Sequence, residues 1–285
     1  MVEVRRAGEE DLEFAHRVFV AAEGSLWARH GFDWPAPPFE LWAPTQRHVL
    51  REDGERAFVA LDQGRIVGFT AAIARGDTWY FSSLFVLPDY QGQGVGRVLL
   101  ERAWRGEFAR RITITDSFQP LSNGLYARRG LIPTTPILSL AGTGTADAPS
   151  GLMANDPDAE VLAALHRAVY GFERAVDHRF WHEQKGAPTV WARGAEPVGY
   201  AYVASSGQVG PLVGCDATVA AEILHAELAR RQGQPVALFV PGTARTLVQA
   251  AVDAGLRFSR PPGLLLLSER CQAPTALAIS GYFLY

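Results

Sequence analysis

The sequence predicts an α/β protein of two similar domains in tandem, and three observations predict it. β-type runs pair across short turns in the first half, a glycine-rich junction joins a strand to a helix, and one strand sequence recurs in the second half. At 285 residues the chain exceeds the roughly 100 to 200 residues typical of one domain. A composition that is 48% hydrophobic and 20% charged lets each half bury a core of its own.

The elements follow in order. Val2 to Arg6 reads as a short strand, and Asp11 to Glu23 as a helix with Leu12, Ala15 and Phe19 on one face. Gly24 to Thr45 carries Trp27, Phe32, Trp34, Phe39 and Trp42 among breaks at Gly31, Pro35, Pro37, Pro38 and Pro44, and reads as an aromatic-rich loop with short helical pieces. Ala57 to Leu61 and Arg65 to Ala74 form a hairpin across Asp62, Gln63 and Gly64, and a turn at Arg75, Gly76 and Asp77 leads into the strand Thr78 to Leu87. A helix from Val95 to about Phe108, a strand at Ile112 to Thr115, a helix from Asn123 to Arg129 stopped by Gly130, and a strand at Ile137 to Leu140 complete the first half.

Val67-Gly68-Phe69-Thr70-Ala71 returns 131 residues later as Val198-Gly199-Tyr200-Ala201-Tyr202. Gly130-Leu131 returns as Gly255-Leu256, 125 residues on, so the second copy has lost six residues in the interval that holds the glycine-rich junction. A tandem duplication with one degenerate copy explains both offsets. The expected division is a catalytic domain at 1–141, a small and polar linker at 142–150, and a degenerate domain at 151–285.

Bulk properties narrow the function. A net charge of −3 supplies no broad positive field, which argues against nucleic acid and anionic membrane as partners. Cys215 and Cys271 are too few for a disulfide framework, Met1 to Arg6 shows no signal-peptide pattern, and no apolar run approaches the roughly 18 residues of a membrane span. The expected setting is cytoplasmic.

Tyr90-Gln91-Gly92-Gln93-Gly94-Val95-Gly96-Arg97 lies between a strand and a helix. Glycines there let successive N–H groups converge on an anion, and a helix N-terminus adds roughly half a positive charge. The dinucleotide fingerprint G-x-G-x-x-G fails at Arg97, and a P-loop lacks its lysine, because Lys185 is the chain's only one.

The loop resembles the GNAT superfamily of acyl-CoA-dependent N-acetyltransferases, whose signature [RQ]-x-x-G-x-[GA] is matched by Gln91, Gly94 and Gly96. Leu84-Phe85-Val86 with Pro88 upstream, and Asn123-Gly124-Leu125-Tyr126 with Gly130 downstream, keep the family's order and spacing. The resemblance covers about residues 2 to 140, and more weakly 150 to 270. It implies two GNAT-like domains, each with a mixed, mostly antiparallel sheet flanked by helices.

The resemblance further implies acetyl-CoA as acyl donor, no metal, and a small-molecule or peptide amine as acceptor. The donor's arm would lie where the fourth and fifth strands splay, against Leu84, Phe85 and Val86, with a Val86 N–H on the thioester carbonyl. Gln91, Gly92, Gln93, Gly94, Val95, Gly96 and Arg97 would take the diphosphate, with Arg97 or the Gln91 side chain adding charge or a hydrogen bond. Tyr126 holds the family's general-acid position, and Asn123 is either a contact to the cofactor arm or a helix N-cap. Glu23, Asp77 and Asp116 are all open as the base, and the aromatic residues 27–42 sit where the family lines its acceptor pocket.

The second copy has Ala251 at the position of Tyr126 and no glycine signature after Pro211-Leu212-Val213, so it is expected not to use acetyl-CoA. His178 and His182 stand at i, i+4, but Phe180 and Trp181 between them and the lack of a third ligand point to a packed helix. The competing class is a non-catalytic acyl-CoA sensor. The sequence does not reveal the oligomeric state.

Overall fold

The structure, a computed structural model, describes residues 2–285 and divides into two compact units, one ending at Thr113 and one running from Ile114 to Phe283. Both are α/β units with mostly antiparallel sheets. Among the described residues no helix is long and apolar enough to cross a membrane.

The first unit begins with β1 (Glu3–Arg6), α1 (Leu12–Arg29) and α2 (Phe39–Asp53), followed by β2 (Phe58–Asp62), β3 (Arg65–Arg75), β4 (Thr78–Val86), α3 (Val95–Ala103) and β5 (Arg110–Asp116). Strands β1 to β4 pair in sequence, all antiparallel. β5 joins β4 in parallel, from Thr78 opposite Arg110 to Phe81 opposite Thr113. β3 is buried almost without a break, because helices cover both of its faces. Val67 and Val86 meet Val95 and Leu99 of α3 on one side, while Phe69 meets Trp42 of α2 on the other.

Polar contacts fix the helix ends. Asp11, below the N-terminus of α1, takes both arms of the Arg5 guanidinium at 2.6 and 2.7 Å. Asp53, the last residue of α2, accepts from the Ala74 N–H and the Arg75 guanidinium, each at 2.8 Å. A buried carboxylate is tolerable on such terms, being both paired and hydrogen-bonded.

The second unit contains α4 (Pro120–Ala127), β6 (Ile132–Gly142), β7 (Met153–Asn155), α5 (Ala159–Tyr170), α6 (Ala175–Lys185), β8 (Thr189–Arg193), β9 (Glu196–Val203), β10 (Gln208–Gly214), α7 (Ala217–Ala229), β11 (Val236–Pro241), α8 (Arg245–Asp253), β12 (Arg257–Phe258), β13 (Gly263–Leu267) and β14 (Leu277–Ala278). β7, β8, β9 and β10 pair antiparallel in turn, and β11 joins β10 in parallel, as β5 joins β4. β6 then lies between β11 and β13, antiparallel to both.

The repeat is real in three dimensions. Gly68 stands opposite Val86, and Gly199 opposite Gly214. A Cβ on Gly68 would press Leu99 Cδ1 at 2.8 Å, and one on Gly199 would press Ile223 Cδ1 at 2.4 Å, so each glycine lets a helix lie close on its sheet. The helices α4 and α8 end on the same motif: Leu131 N–H donates to Tyr126 O at 3.1 Å, and Leu256 N–H to Ala251 O at 3.0 Å.

Several sequence expectations need correction. Gly24 to Thr45 is not mainly loop: α1 continues through Gly24 to Arg29, and α2 starts at Phe39 and carries Pro44 inside it. Trp42 and Phe69 packing outweighs the local proline signal. α3 stops at Ala103 rather than Phe108, α4 begins at Pro120 rather than Asn123, and β6 spans Ile132–Gly142. β6 pairs with β11 and β13, and the two compact units divide between Thr113 and Ile114.

Candidate functional site

The loop at the start of α3 has the geometry that its glycines permit. Gly92 has φ +76° and Gly94 φ +86°, a region that side chains disfavour, and Gly94 is the N-cap of α3. A Cβ at Gly92 would meet nothing within 4 Å, which leaves the surface over the loop open. Val98 N–H makes the first helical bond, to Gly94 O at 3.1 Å. Among the described residues the amides of Gly92 to Arg97 have no backbone acceptor.

β4 arrives at this loop with its own irregularity. Its register to β3 shifts between Ala71 and Ala72, which makes a bulge at Ser82. The parallel ladder to β5 stops at Phe81, and β4 runs on through Ser82 to Val86. Two threonine hydroxyls cap the carbonyls left at the bulge: Thr113 Oγ1 donates to Phe81 O at 2.9 Å, and Thr70 Oγ1 to Ser83 O at 2.8 Å. Leu84 and Val86 face Gly96 of α3, at 3.9 and 3.7 Å from a Cβ built there.

Side chains fasten the loop to β4, to β2 and to itself. Gln91 Nε2 donates to Val86 O at 2.9 Å, Gln93 Nε2 donates to Asp89 O at 2.6 Å, and Tyr90 donates to Asp62 at 2.8 Å. Arg97 is exposed, and its guanidinium folds back to within 3.8 Å of a Cβ built on Gly94. Leu84 to Val86 and Gln91 to Arg97 are thus brought together in one unit, with Arg97 the cation beside the open amides.

Phe85 points away from α3 into an aromatic wall. Phe19 packs on its edge with ring centres 4.8 Å apart, Trp34 and Trp42 lie 5.3 and 5.9 Å from Phe19, and Phe39 lies 6.5 Å from Trp42. Trp27 and Phe32 instead pair with each other. Sequence reasoning missed His16, one turn before Phe19 on α1. Its Nε2 donates to Pro37 O at 2.9 Å, and its ring lies 5.3 Å from Trp42. A histidine at i−3 from a core aromatic was the available signal.

Tyr126 and Asn123 belong to α4 in the second unit. Tyr126 is buried. Asn123 is not an N-cap, since Gln119 fills that role by accepting from Leu121 N–H. Its Nδ2 donates to Ser117 O at 3.3 Å, and its buried Oδ1 has no protein partner. Of the base candidates, Asp77 sits in the β3–β4 turn and accepts from Arg110 at 2.5 Å, which holds its carboxyl below the usual range and makes it a weak base. A basic cavity of about 480 Å³, lined by Arg5, Arg6, Arg56, Arg102 and Arg105, opens at the far end of α3 from the glycine loop.

His178 and His182 do not share a site. His178 is buried with Nδ1 3.1 Å from the Tyr202 hydroxyl, while His182 is exposed. No group of three metal-binding side chains occurs among the described residues.

A model of the acetyltransferase (GNAT) domain matches residues 53–130, the stretch from the end of α2 to the end of α4. An uncharacterized N-acetyltransferase of Archaeoglobus fulgidus is 31% identical over an alignment of 121 positions, which covers 36% of this chain and 71% of that relative. The chain belongs to the GNAT acetyltransferase family. As a GNAT protein it is an acyltransferase of a family that uses acetyl-CoA and acts on amines of small molecules or peptides. The GNAT fold extends over the whole chain. A Pyrococcus horikoshii structure assigned as an acetyltransferase superposes with TM-score 0.78 over 100% of this chain and 96% of its own, at 15% identity. A GCN5-related N-acetyltransferase of Sphaerobacter thermophilus superposes with TM-score 0.63 over 99% and 98%, at 14% identity.

Proposed function

We propose that residues 1–141 form a catalytic domain that transfers an acetyl group from acetyl-CoA to a primary amine by direct attack, and that 151–285, beyond a linker at 142–150, is a degenerate copy. The observation that carries this reading is the row of amides from Gly92 to Arg97 without backbone acceptors, beside the part of β4 that outruns its ladder to β5. When bound, acetyl-CoA supplies the acyl group as an activated thioester.

The loop amides would bind the diphosphate, and Arg97 would add the charge that the helix terminus alone supplies only in part. Because the Gln91 side chain is committed to Val86 O, its part is to hold the loop against β4. Main-chain groups of Leu84, Phe85 and Val86 would align the donor's arm, and the unpartnered Asn123 Oδ1 would accept one of its amides. Tyr126 Oη would carry the proton needed by the departing thiolate, since a phenol near pKa 10 stays protonated at neutral pH. The aromatic wall of His16, Phe19, Trp34, Phe39 and Trp42 supports an acceptor that is apolar or cationic.

Calorimetry with CoA, combined with thiol release across a panel of amines, tests the reading on the full-length protein. Uptake of CoA with amine-dependent release is expected. Uptake without release would identify a sensor, and no uptake would remove the donor site altogether.

A further inference from the structure

The second unit repeats the irregular strand pair of the first. β10 bulges against β9 between Val209 and Leu212, as β4 does against β3 at Ser82. The parallel ladder of β10 with β11 stops after Val209 opposite Leu238, as that of β4 with β5 stops after Phe81 opposite Thr113. Past that point both strands carry main-chain groups that face a gap. Leu212 and Gly214 are buried, so leaving their gap-facing groups unpaired would cost about 1 to 3 kcal/mol apiece.

The chain's own segment 276–279 fills the gap. Leu212 lies opposite Ala278 and Val213 opposite Leu277, and Gly214 N–H donates to Ala276 O at 3.0 Å. On the other edge Ile279 N–H donates to Phe239 O at 2.9 Å. The segment therefore bonds β10 through one set of alternate residues and reaches β11 through the other, as a strand inserted between two strands must. Ala276, Leu277, Ala278 and Ile279 are all buried. A Cβ at Gly210 would lie 2.3 Å from Ile279 O, so the bulge must present a glycine for the segment to enter. Lys185 donates to that glycine's carbonyl, and both ends of the segment are held: Thr243 Oγ1 donates to Pro274 O at 2.6 Å, and Gln208 Nε2 to Ser280 O at 2.8 Å.

The anion cradle is gone as well. Only Cys215 and Asp216 separate β10 from α7, and Asp216 caps the helix by accepting from Val219 N–H at 2.8 Å. A carboxylate stands where the first domain offers open amides.

We propose that the gap between β10 and β11 is a binding site for an extended peptide strand with small and apolar side chains, filled by residues 276–279 and thereby closed to an acyl-CoA. The comparison with an acyl-CoA site rests on the donor reading of the first domain, whereas strand binding does not.

A protease recognition sequence inserted between the exposed Glu269 and Arg270 of the full-length protein, cut after folding, tests this. The released peptide of residues 270–285 should stay with the body through gel filtration, and calorimetry should give one CoA per chain before and after cutting. The same protein carrying Ile279→Pro, which removes the N–H donated to Phe239, should lose the peptide at least tenfold faster. Loss of the unsubstituted peptide from a body with intact circular dichroism would overturn the proposal, as would a second CoA per chain after cutting, or equal retention of the Ile279→Pro peptide. Retention of the peptide with no CoA bound in either form would reject the donor site and leave the strand site in place.

Discussion

Gln91 Nε2 donates to Val86 O at 2.9 Å, so the side chain at the head of the glycine loop grips the strand end that it follows. The signature glutamine therefore sets the position of the amides behind it. A single neutral hydrogen bond is worth about 1 kcal/mol. Gln91→Ala should weaken CoA binding about fivefold in calorimetry with little change in melting temperature. An unchanged affinity would show that the loop holds its shape unaided.

Gly94 at φ +86° has no room for a branched residue in conformational terms, although a Cβ there would meet nothing nearer than Arg97 at 3.8 Å. A side chain in this region costs roughly 1 to 2 kcal/mol, which either strains the N-cap or flips the loop. Gly94→Val should therefore lower affinity for CoA by at least tenfold while leaving the far-ultraviolet circular dichroism unchanged. Binding equal to that of the parent protein would contradict the cradle.

Tyr126→Phe removes only the phenolic oxygen from a buried ring. With Tyr126 as proton donor, kcat should fall by about 10² to 10⁴ while the donor's Kd stays within a factor of two. Steady-state kinetics together with calorimetry separates this from a packing defect, which would move both.

Burial, followed by the Arg174 charge, pushes His178 down to about 4 and holds His166 well below the ordinary imidazole value. Both rings are neutral in the folded protein near neutral pH, whereas the unfolded chain protonates them near pH 6.5. Their folded values being lowered, the stability they contribute is complete above about pH 6.5 and falls as the pH drops from there toward 4. At about 1.4 kcal/mol per unit, His178 alone accounts for on the order of 3 kcal/mol by pH 4. Urea midpoints at pH 7.5, 6.5 and 5.5 should fall with pH, and His178→Gln should flatten the profile.

Gly24 lies inside α1, and a Cβ there would touch Trp34 Cε3 at 4.0 Å, an ordinary contact. Gly24→Ala should raise stability by about 0.5 to 1 kcal/mol through helix propensity alone. Gly24→Leu should lower it by driving into the Trp34 ring. Chemical denaturation of the two variants checks the sign of each.

What the sequence revealed was local. Gly94 and Gly96 mark a strand-to-helix junction by their backbone freedom, and Gly130-Leu131 and Gly255-Leu256 mark helix ends that prove to share one hydrogen-bond pattern. The shortening of the second copy was legible as a count but not as a place. It falls both in the shorter strands of the β9–β10 hairpin and in the cut from a glycine loop to Cys215 and Asp216. Pro44 misled because its local signal opposes a helix that Trp42 holds by packing. The grip of Gln91 on Val86 and the insertion of Ala276 to Ile279 depend on partners that no window of sequence contains.

β6 takes its hydrogen bonds from Val236 to Pro241 on one edge and from Gly263 to Leu267 on the other. During synthesis this strand leaves the ribosome long before either neighbour exists, and its two edges stay raw until the last fifth of the chain has been made. A gene fragment cut between the repeats would leave both of those edges without partners, a template for pairing with other chains.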